Sequence, residues 1–310
     1  MTDPQIPVID IGALRGPDAP ARRAVAAHIG AACRGIGFFA ITGHGVPAAC
    51  IDDAFAASRA FFAQPVAQKV ELAHGRLSHN RGYVGMGVEA LDEKQGADQK
   101  EAFNLIWTDQ ATRPSNVWPT IDGWRDRVQA YFDATFAAGR LLHRAFALDL
   151  GLAEDFFDDK IDRPQATLRL LRYPDAAPGA AEAPGAGTHT DYGNVTLLAT
   201  DGVGGLQVRT REGQWLDAPT VPGGFICNIG DCLMRWTNDV YVSTPHRVVR
   251  PVRERYSIAF FLDPNPDALV SAIPSCVPPG EAPHHAPVTA QAYLQSRFDA
   301  TYGAPARPVA

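Results

Sequence analysis

The chain has 310 residues, a net charge of −6 and 46% hydrophobic residues, values typical of a globular protein with a sizeable core. No basic run is present, so we predict no nucleic-acid partner, and no apolar stretch reaches the roughly 18 residues that a membrane helix needs. The start lacks the pattern of a secretory signal. Five scattered cysteines without a Cys-x-x-Cys pair predict reduced thiols in a cytoplasmic protein.

The first half of the chain is predicted to be mainly helical. Apolar residues recur there at helical spacing, and short apolar runs bounded by turn residues indicate strands. The predicted helices cover about 20–33, 48–62, 118–150 and 154–160, and the predicted strands cover 6–11 and 35–41. Residues 74–104 are polar and glycine-rich, so we predict a solvated loop that lines the mouth of a pocket.

The second half changes to short strand signals separated by glycine-rich turns, with a final helix. The strands are predicted at 167–173, 195–199, 206–209, 215–217, 225–229, 248–249 and 256–262, and the helix at 289–302. Short strands at this spacing predict a jelly roll, and segregated helices and strands predict an α+β fold. We divide the chain into a mainly helical part at 1–165, a jelly-roll core at 166–270 and a C-terminal loop and helix at 271–310, which together form one compact unit.

One short stretch carries the first sign of chemistry. His189 and Asp191 are two residues apart, so both side chains point to the same side of an extended strand and could bind one metal ion. By itself such a pair is most often a polar turn beside a strand. His246 follows Asp191 by 55 residues, a separation over which a jelly roll can bring strand ends together. Two imidazoles and one carboxylate form the facial triad of non-haem iron(II) oxygenases.

A candidate carboxylate-binding pair follows shortly after His246. Arg255 and Ser257 share one face of a predicted strand, where a guanidinium and a hydroxyl could hold the distal carboxylate of 2-oxoglutarate. Tyr173, on an earlier strand, could donate a further hydrogen bond. A ferrous ion held by two neutral imidazoles and one carboxylate keeps a net positive charge, which favours a dianionic chelator. Dioxygen could take the remaining open position.

Motifs along nearly the whole chain strengthen this interpretation. They occur in the order Ile6-Pro7-Val8-Ile9-Asp10, Gly37-Phe38-Phe39, His44-Gly45-Val46, Arg81-Gly82-Tyr83, Lys100-Glu101, Tyr173-Pro174, His189-Thr190-Asp191, Gly205-Leu206-Gln207-Val208, Asn228-Ile229-Gly230-Asp231, His246-Arg247-Val248 and Arg255-Tyr256-Ser257. This order resembles that of the iron(II)- and 2-oxoglutarate-dependent oxygenases of the isopenicillin-N-synthase-like family. The resemblance implies a distorted double-stranded β-helix core, that is, a jelly roll, with an N-terminal helical region and a C-terminal helix.

The resemblance also implies roles for individual residues. His189, Asp191 and His246 would be the ligands of Fe(2+), and Arg255 and Ser257 would anchor 2-oxoglutarate. Such enzymes couple the oxidative decarboxylation of 2-oxoglutarate to succinate with hydroxylation or desaturation by O2, and ascorbate is expected to stimulate turnover. The family often has Asn two residues before the Tyr of the Tyr-Pro element. Here that residue is Leu171, so one polar contact to the co-substrate is missing or comes from elsewhere.

The substrate is predicted to be a small organic molecule with one or two polar groups, because several candidate wall residues are apolar or aromatic. These candidates are Arg81, Tyr83, Met86, Phe103, Asn104, Leu206 and Phe261. The segment before Thr188 and the C-terminal helix are candidate covers of the site. No membrane partner is expected, and the protein is expected to be a monomer or a homodimer.

Two other functions remain open from the sequence. One is an oxidase of the same fold that uses no 2-oxoglutarate and binds the carboxylate of its substrate with Arg255 and Ser257. The other is a non-catalytic sensor of 2-oxoglutarate or iron, which the intact triad disfavours. Asn228 and Asp231 are interpreted as turn and fold residues, and His284 and His285 as part of a solvated loop.

Overall fold

Helices precede most of the strands along the chain. The structure, a computed structural model, describes residues 5–73, 80–92, 96–109, 115–175 and 184–302, without the side chains of residues 298–302. The helices are α1 (Ala19–Gly35), α2 (Ala48–Phe62), α3 (Val66–Glu71), α4 (Trp124–Asp149), α5 (Asp231–Trp236) and α6 (Ala290–Tyr302). The strands are β1 (Val8–Asp10), β2 (Phe38–Thr42), β3 (Gly82–Val84), β4 (Glu101–Ile106), β5 (Thr167–Tyr173), β6 (Ala186–His189), β7 (Val195–Thr200), β8 (Leu206–Arg209), β9 (Trp215–Asp217), β10 (Phe225–Ile229), β11 (His246–Val248), β12 (Arg255–Leu262), β13 (Leu269–Val270) and β14 (Val288–Thr289).

Two sheets face each other at the centre of the molecule. The larger has eight strands in the order β1-β2-β10-β7-β12-β5-β4-β3, and the smaller has four in the order β6-β11-β8-β9. β1 is parallel to β2, and the other strands described in these two sheets pair antiparallel. Neighbouring strands are often distant in the chain, as in a double-stranded β-helix. The predicted α+β jelly-roll fold is confirmed.

The alternation of side chains along β12 shows how one strand serves both the core and the space between the sheets. Ile258 and Phe260 belong to the main hydrophobic core, and the ring of Phe260 packs edge-on against Phe132 of α4 at 5.1 Å between ring centroids. Arg255 and Ser257 point the other way, towards the smaller sheet. Because successive residues of a strand face opposite sides, burial of the apolar face fixes the direction of the polar one.

The largest difference from the sequence-based prediction lies in residues 74–104. The predicted solvated loop contains β3 and the start of β4, and β4 is buried along its whole length; residues 74–79 and 93–95 lie outside the described residues. The prediction was wrong because Glu101 is polar yet buried. Its carboxylate lies 2.7 Å from Lys69 Nζ and 2.7 Å from Arg172 Nη1, and it also accepts a hydrogen bond from Tyr83.

Replacement of Glu101 by glutamine is expected to lower the free energy of unfolding by about 3–5 kcal/mol, because it leaves the buried ammonium of Lys69 without a counter-charge. The burial of Glu101 alone would raise its pKa, but the hydrogen bonds from Lys69, Tyr83 and Arg172 outweigh this and lower the pKa. Urea denaturation measures the change. Glu254→Gln is the matched control, since Glu254 binds the same arginine from a more exposed position and should cost less than about 1 kcal/mol. Equal losses would contradict the assignment of Glu101 as the centre of a buried network.

The part of the chain before residue 166 contains strands as well as helices. Its strands lie at the two edges of the eight-stranded sheet, with β1 and β2 at one edge and β3 and β4 at the other. The division at residues 165 and 270 therefore stays a prediction about sequence organisation and does not separate one sheet from another. No helix in the described ranges is long and apolar enough to cross a membrane.

Candidate active site

A cavity between the two sheets contains the predicted site. Side chains of β5, β7, β10 and β12 line it from the larger sheet, and side chains of β6, β8 and β11 line it from the smaller one. All six residues predicted to bind the metal or the co-substrate lie in its wall: Tyr173, His189, Asp191, His246, Arg255 and Ser257. Strand pairing therefore brings together residues that are widely separated in the sequence.

The two histidines meet because β6 and β11 are hydrogen-bonded neighbours. His246 is the register partner of His189, and their ring centroids are 4.3 Å apart. Asp191 lies two residues beyond the end of β6, and its Oδ1 lies 3.8 Å from Nε2 of each histidine. One ligand atom from each of the three residues can be chosen so that all lie within 4.8 Å of one another. This spacing allows one ion to touch all three.

Backbone carbonyls fix the tautomer of both imidazoles. His189 Nδ1 lies 2.7 Å from the carbonyl oxygen of Gly187, and His246 Nδ1 lies 3.1 Å from that of Thr244. A carbonyl only accepts, so each Nδ1 carries the hydrogen and each Nε2 of a neutral ring keeps its lone pair. Burial, and next the proximity of His246, lowers the pKa of His189 to about 3. His189 is therefore neutral at physiological pH and able to bind a metal.

Two hydrogen bonds from neighbouring side chains orient the carboxylate of Asp191. Its Oδ2 accepts hydrogen bonds from the Thr196 hydroxyl and, at 2.7 Å, from Asn228 Nδ2. Burial alone would raise the pKa of Asp191. The imidazoles of His246 and His189 and these two hydrogen bonds outweigh burial and hold the pKa below its ordinary value. Oδ2 is thus occupied by the protein, and Oδ1 faces the histidines.

The donor set fits a ferrous ion. At 3.8 Å, Asp191 Oδ1 is too far from either Nε2 for a hydrogen bond, so these atoms do not satisfy one another. Two nitrogen lone pairs and one carboxylate oxygen converge as three acceptors, an arrangement that a cation completes. Two imidazoles and one carboxylate on one side leave further coordination positions open, which is the non-haem iron(II) pattern.

Asn228 was interpreted as a fold residue, and the structure corrects this, because its amide orients the Asp191 carboxylate from the neighbouring strand β10.

Asn228→Leu is expected to weaken Fe(2+) binding by roughly 10- to 100-fold, the usual effect of losing a hydrogen bond to a metal ligand. Competition between the protein and a coloured chelator under anaerobic conditions measures the affinity. Asn116→Leu is a suitable control, because Asn116 lies in a loop outside the cavity. Asn194→Leu is not suitable, because the side chain of Asn194 is hydrogen-bonded to the buried His143. An unchanged affinity in the Asn228 variant would show that Thr196 alone orients Asp191.

Arg255 lies at the other end of the cavity and lacks an acidic partner. It is only 1% exposed, yet no carboxylate lies within 4.0 Å of its guanidinium in the described ranges. Its Nη1 donates to Ser257 Oγ at 3.2 Å, its Nε donates to the carbonyl of Val203, and its guanidinium lies 4.8 Å from the centre of the Tyr173 ring. A buried cation without a counter-charge is costly, so this end of the cavity suits an anionic ligand.

The predicted substrate residues divide into two groups. Leu206 and Phe261 line the cavity. The other five do not belong to its wall: Arg81 binds the carbonyl of Ser115, Tyr83 donates to Glu101, Met86 is 41% exposed, Phe103 packs between Phe61 and Trp124, and Asn104 donates to Asn80. Tyr83 and Phe103 belong to the main hydrophobic core, on the helix-covered side of the larger sheet.

Several cavity residues were missed from the sequence. Lys100 and Arg169 are charged side chains in the wall, and Leu91 is an apolar one. Arg169 could have been found, because it alternates with Leu171 and Tyr173 along β5 and therefore shares their face. Leu91 had no such signal, since it lies outside the predicted strands. Lys100 belongs to the Lys100-Glu101 motif, but the motif assigned it no role in the cavity.

Comparisons with known proteins agree with this geometry. Residues 6–121 match the family described as non-haem dioxygenase in morphine synthesis N-terminal, and residues 165–264 match the 2OG-Fe(II) oxygenase superfamily. The 2-oxoglutarate-Fe(II) type oxidoreductase hxnY of Emericella nidulans is 33% identical over 315 residues, which cover 96% of this chain and 90% of the relative. The chain belongs to the 2OG-Fe(II) oxygenase superfamily.

Solved structures resemble this oxygenase over nearly its whole length. A full-length Neurospora crassa protein, solved in complex with alpha-KG, which is 2-oxoglutarate, is 31% identical with a TM-score of 0.88, over 97% of this chain and 98% of that one. JOX2 in complex with 2OG, Fe and JA is 30% identical with a TM-score of 0.82, over 97% of this chain and 86% of that one. The oxygenase is an oxidoreductase that uses Fe(2+), 2-oxoglutarate and O2, and the predicted family, enzyme class and cofactors are confirmed.

Proposed function

We propose that this oxygenase binds Fe(2+) through His189, Asp191 and His246 and hydroxylates or desaturates a small organic molecule. The other products are succinate and carbon dioxide from 2-oxoglutarate. The observation that supports this most strongly is the convergence of two imidazole nitrogens and one carboxylate oxygen, each oriented by its own hydrogen bonds. The intact set also weighs against a sensor that does not turn over.

Arg255 and Ser257 bind the distal carboxylate of 2-oxoglutarate in this proposal. Arg255 has a buried positive charge that needs an anion, and the ring of Tyr173 lies against its guanidinium, so the Tyr173 hydroxyl remains a candidate third contact. Leu171 is the register partner of Ser257, so the position of the family Asn offers only an apolar contact here. Iron held by His189, Asp191 and His246 would supply the activation of dioxygen, while the protein positions both substrates and excludes water around them.

The substrate is proposed to be a small organic molecule that lies near Leu206 and Phe261. Two relatives support this size class: the Neurospora crassa protein has also been crystallised with alpha-KG and thymine, and JOX2 with JA. Beside the polar residues that would bind iron and 2-oxoglutarate, the cavity wall includes the apolar side chains of Leu91, Leu198, Leu206 and Phe261, which suit the packing of such a molecule.

Succinate release tests the proposal. The purified protein with Fe(2+), 2-oxoglutarate and ascorbate is screened against a library of small molecules in air, and at least one compound should increase both succinate release and oxygen consumption. Ascorbate is proposed to stimulate repeated turnover. Oxygen consumption with a substrate in the absence of 2-oxoglutarate would support the oxidase alternative, in which Arg255 and Ser257 bind the carboxylate of the substrate. Absence of both activities would support a sensor.

The cellular setting and solution state are also proposals. The described cysteines Cys33, Cys50, Cys227, Cys232 and Cys276 are all free thiols, which supports a reducing compartment such as the cytoplasm. We propose a monomer or a homodimer. Light scattering on the purified protein and fractionation of cells that produce it test these two statements separately.

A further inference from the structure

The β7–β8 turn, residues 201–205, contacts the buried guanidinium of Arg255 through one backbone carbonyl. Arg255 Nε donates a hydrogen bond of 3.2 Å to the carbonyl oxygen of Val203. The turn connects a strand of the larger sheet to a strand of the smaller one. Three of its five residues are glycines, which restrain the backbone less than any other residue. The position of the Val203 carbonyl therefore depends on contacts that side chains make with the turn.

Asp201 makes such contacts with both of its carboxylate oxygens. Oδ1 accepts a hydrogen bond of 3.1 Å from the amide of Val203, and Oδ2 accepts one of 2.7 Å from the amide of Tyr256. The amide of Asp201 also donates to the carbonyl of Tyr256 at 3.2 Å. Tyr256 directly follows Arg255 on β12. One carboxylate thus connects the β7–β8 turn to the strand that carries the arginine.

The guanidinium of Arg255 is held in one plane by its neighbours. It has five N–H donors. In the described part of the chain two of them are used, by the Val203 carbonyl and, at 3.2 Å, by Ser257 Oγ. The ring of Tyr173 lies against the guanidinium at 4.8 Å. The other N–H groups can bind a ligand carboxylate. Because arginine has many rotamers, fixing its side chain before the ligand binds lowers the entropy cost of binding.

We propose that Asp201 is a positioning residue for 2-oxoglutarate. By holding the Val203 carbonyl against Arg255 Nε, Asp201 keeps the guanidinium in the orientation that binds the distal carboxylate. Asp201 does not belong to the cavity wall and acts only through Val203 and Arg255. This inference rests on the proposed function, in which Arg255 and Ser257 bind that carboxylate.

Asp201→Ala should raise the dissociation constant for 2-oxoglutarate about 10-fold, because the Val203 carbonyl is no longer held in place. Calorimetric titration of the anaerobic, Fe(2+)-loaded protein measures the constant. Iron affinity should stay unchanged, since Asp201 is not one of the residues that converge on the metal position. Asp201→Asn, which keeps one acceptor oxygen, should raise the constant less. An unchanged constant in both variants, or a loss of iron affinity in both, would overturn the proposal.

Asp10→Ala is the matched control. Asp10 Oδ1 accepts a hydrogen bond of 2.8 Å from the amide of Gly12, also two residues later in the chain, but Asp10 lies on the edge strand β1. This variant should bind 2-oxoglutarate as the unmodified protein does. A rise equal to that in Asp201→Ala would show that loss of any such turn contact has this effect, and would overturn the proposal.

A double variant shows whether Asp201 acts through Arg255. In the Arg255→Gln protein, the further change Asp201→Ala should alter the dissociation constant by less than about twofold, because the side chain that Asp201 positions is already absent. An equal 10-fold rise in both backgrounds would indicate a general effect on the fold and would overturn the proposal. If the unmodified protein binds no 2-oxoglutarate, or if Arg255→Gln leaves the constant unchanged, the proposed function fails instead.

Discussion

His189→Ala should abolish succinate production and weaken Fe(2+) binding by at least about 100-fold. This effect is larger than the loss of a hydrogen bond that only orients a metal ligand. The substitution removes one of three converging ligand atoms. It also leaves His246 Nε2 and Asp191 Oδ1 3.8 Å apart without the third donor. Anaerobic competition with a coloured chelator measures the iron affinity, and chromatography of the reaction mixture measures succinate.

A matched control for this variant is present on the surface. His285 Nε2 lies 2.8 Å from Asp239 Oδ1, so it is also a histidine beside an aspartate, but it lies outside the cavity. His285→Ala should keep both the iron affinity and the activity. If His189→Ala still binds iron with unchanged affinity, the ion is held elsewhere and the assignment of the triad is wrong.

Arg255→Gln should raise the dissociation constant for 2-oxoglutarate by roughly 100-fold or more. Two charge-assisted hydrogen bonds from a buried guanidinium to a carboxylate contribute about 1.5–3 kcal/mol each. Iron affinity should change little, since Arg255 is not one of the three residues that converge on the metal position. An anaerobic titration of 2-oxoglutarate into the Fe(2+)-loaded variant measures the constant.

Two further variants show whether the effect of Arg255→Gln on 2-oxoglutarate binding is specific to that side chain. Arg253→Gln removes an exposed arginine two residues earlier and should have no effect. Ser257→Ala removes only the hydroxyl that Arg255 contacts and should raise the constant about 10-fold. An unchanged 2-oxoglutarate requirement in Arg255→Gln would favour the oxidase alternative, in which this arginine binds the carboxylate of the substrate.

The sequence was sufficient to predict those cavity residues that lie in short motifs. Arg255 and Ser257 alternate on β12, so strand geometry already places them on one face. His189 ends β6 and Asp191 lies two residues beyond it, so the motif predicted that the two are close, although they do not share a strand. The bounds of β5, β8, β9 and β10 also agree with the prediction, because short runs of strand-forming residues between turn residues mark them in the sequence.

The remaining parts depend on contacts between distant segments. β4 was not predicted as a strand because Glu101 and Asn104 are polar, and only the ion pairs with Lys69 and Arg172 explain the burial of Glu101. Tyr83 was predicted in the substrate wall, but its hydroxyl is bound to Glu101. Asn228 reaches Asp191 only through the pairing of β10 with β7, a neighbour relation that no local pattern contains.

The visible spectrum of the anaerobic protein shows whether one cavity holds Fe(2+) and 2-oxoglutarate together. Addition of 2-oxoglutarate to the Fe(2+)-loaded protein should produce a weak charge-transfer band that saturates at one equivalent. The band should be absent from His189→Ala and should need much more 2-oxoglutarate in Arg255→Gln. Absence of a band in the unmodified protein, or an identical titration in all three proteins, would show that Fe(2+) and 2-oxoglutarate do not meet at these residues.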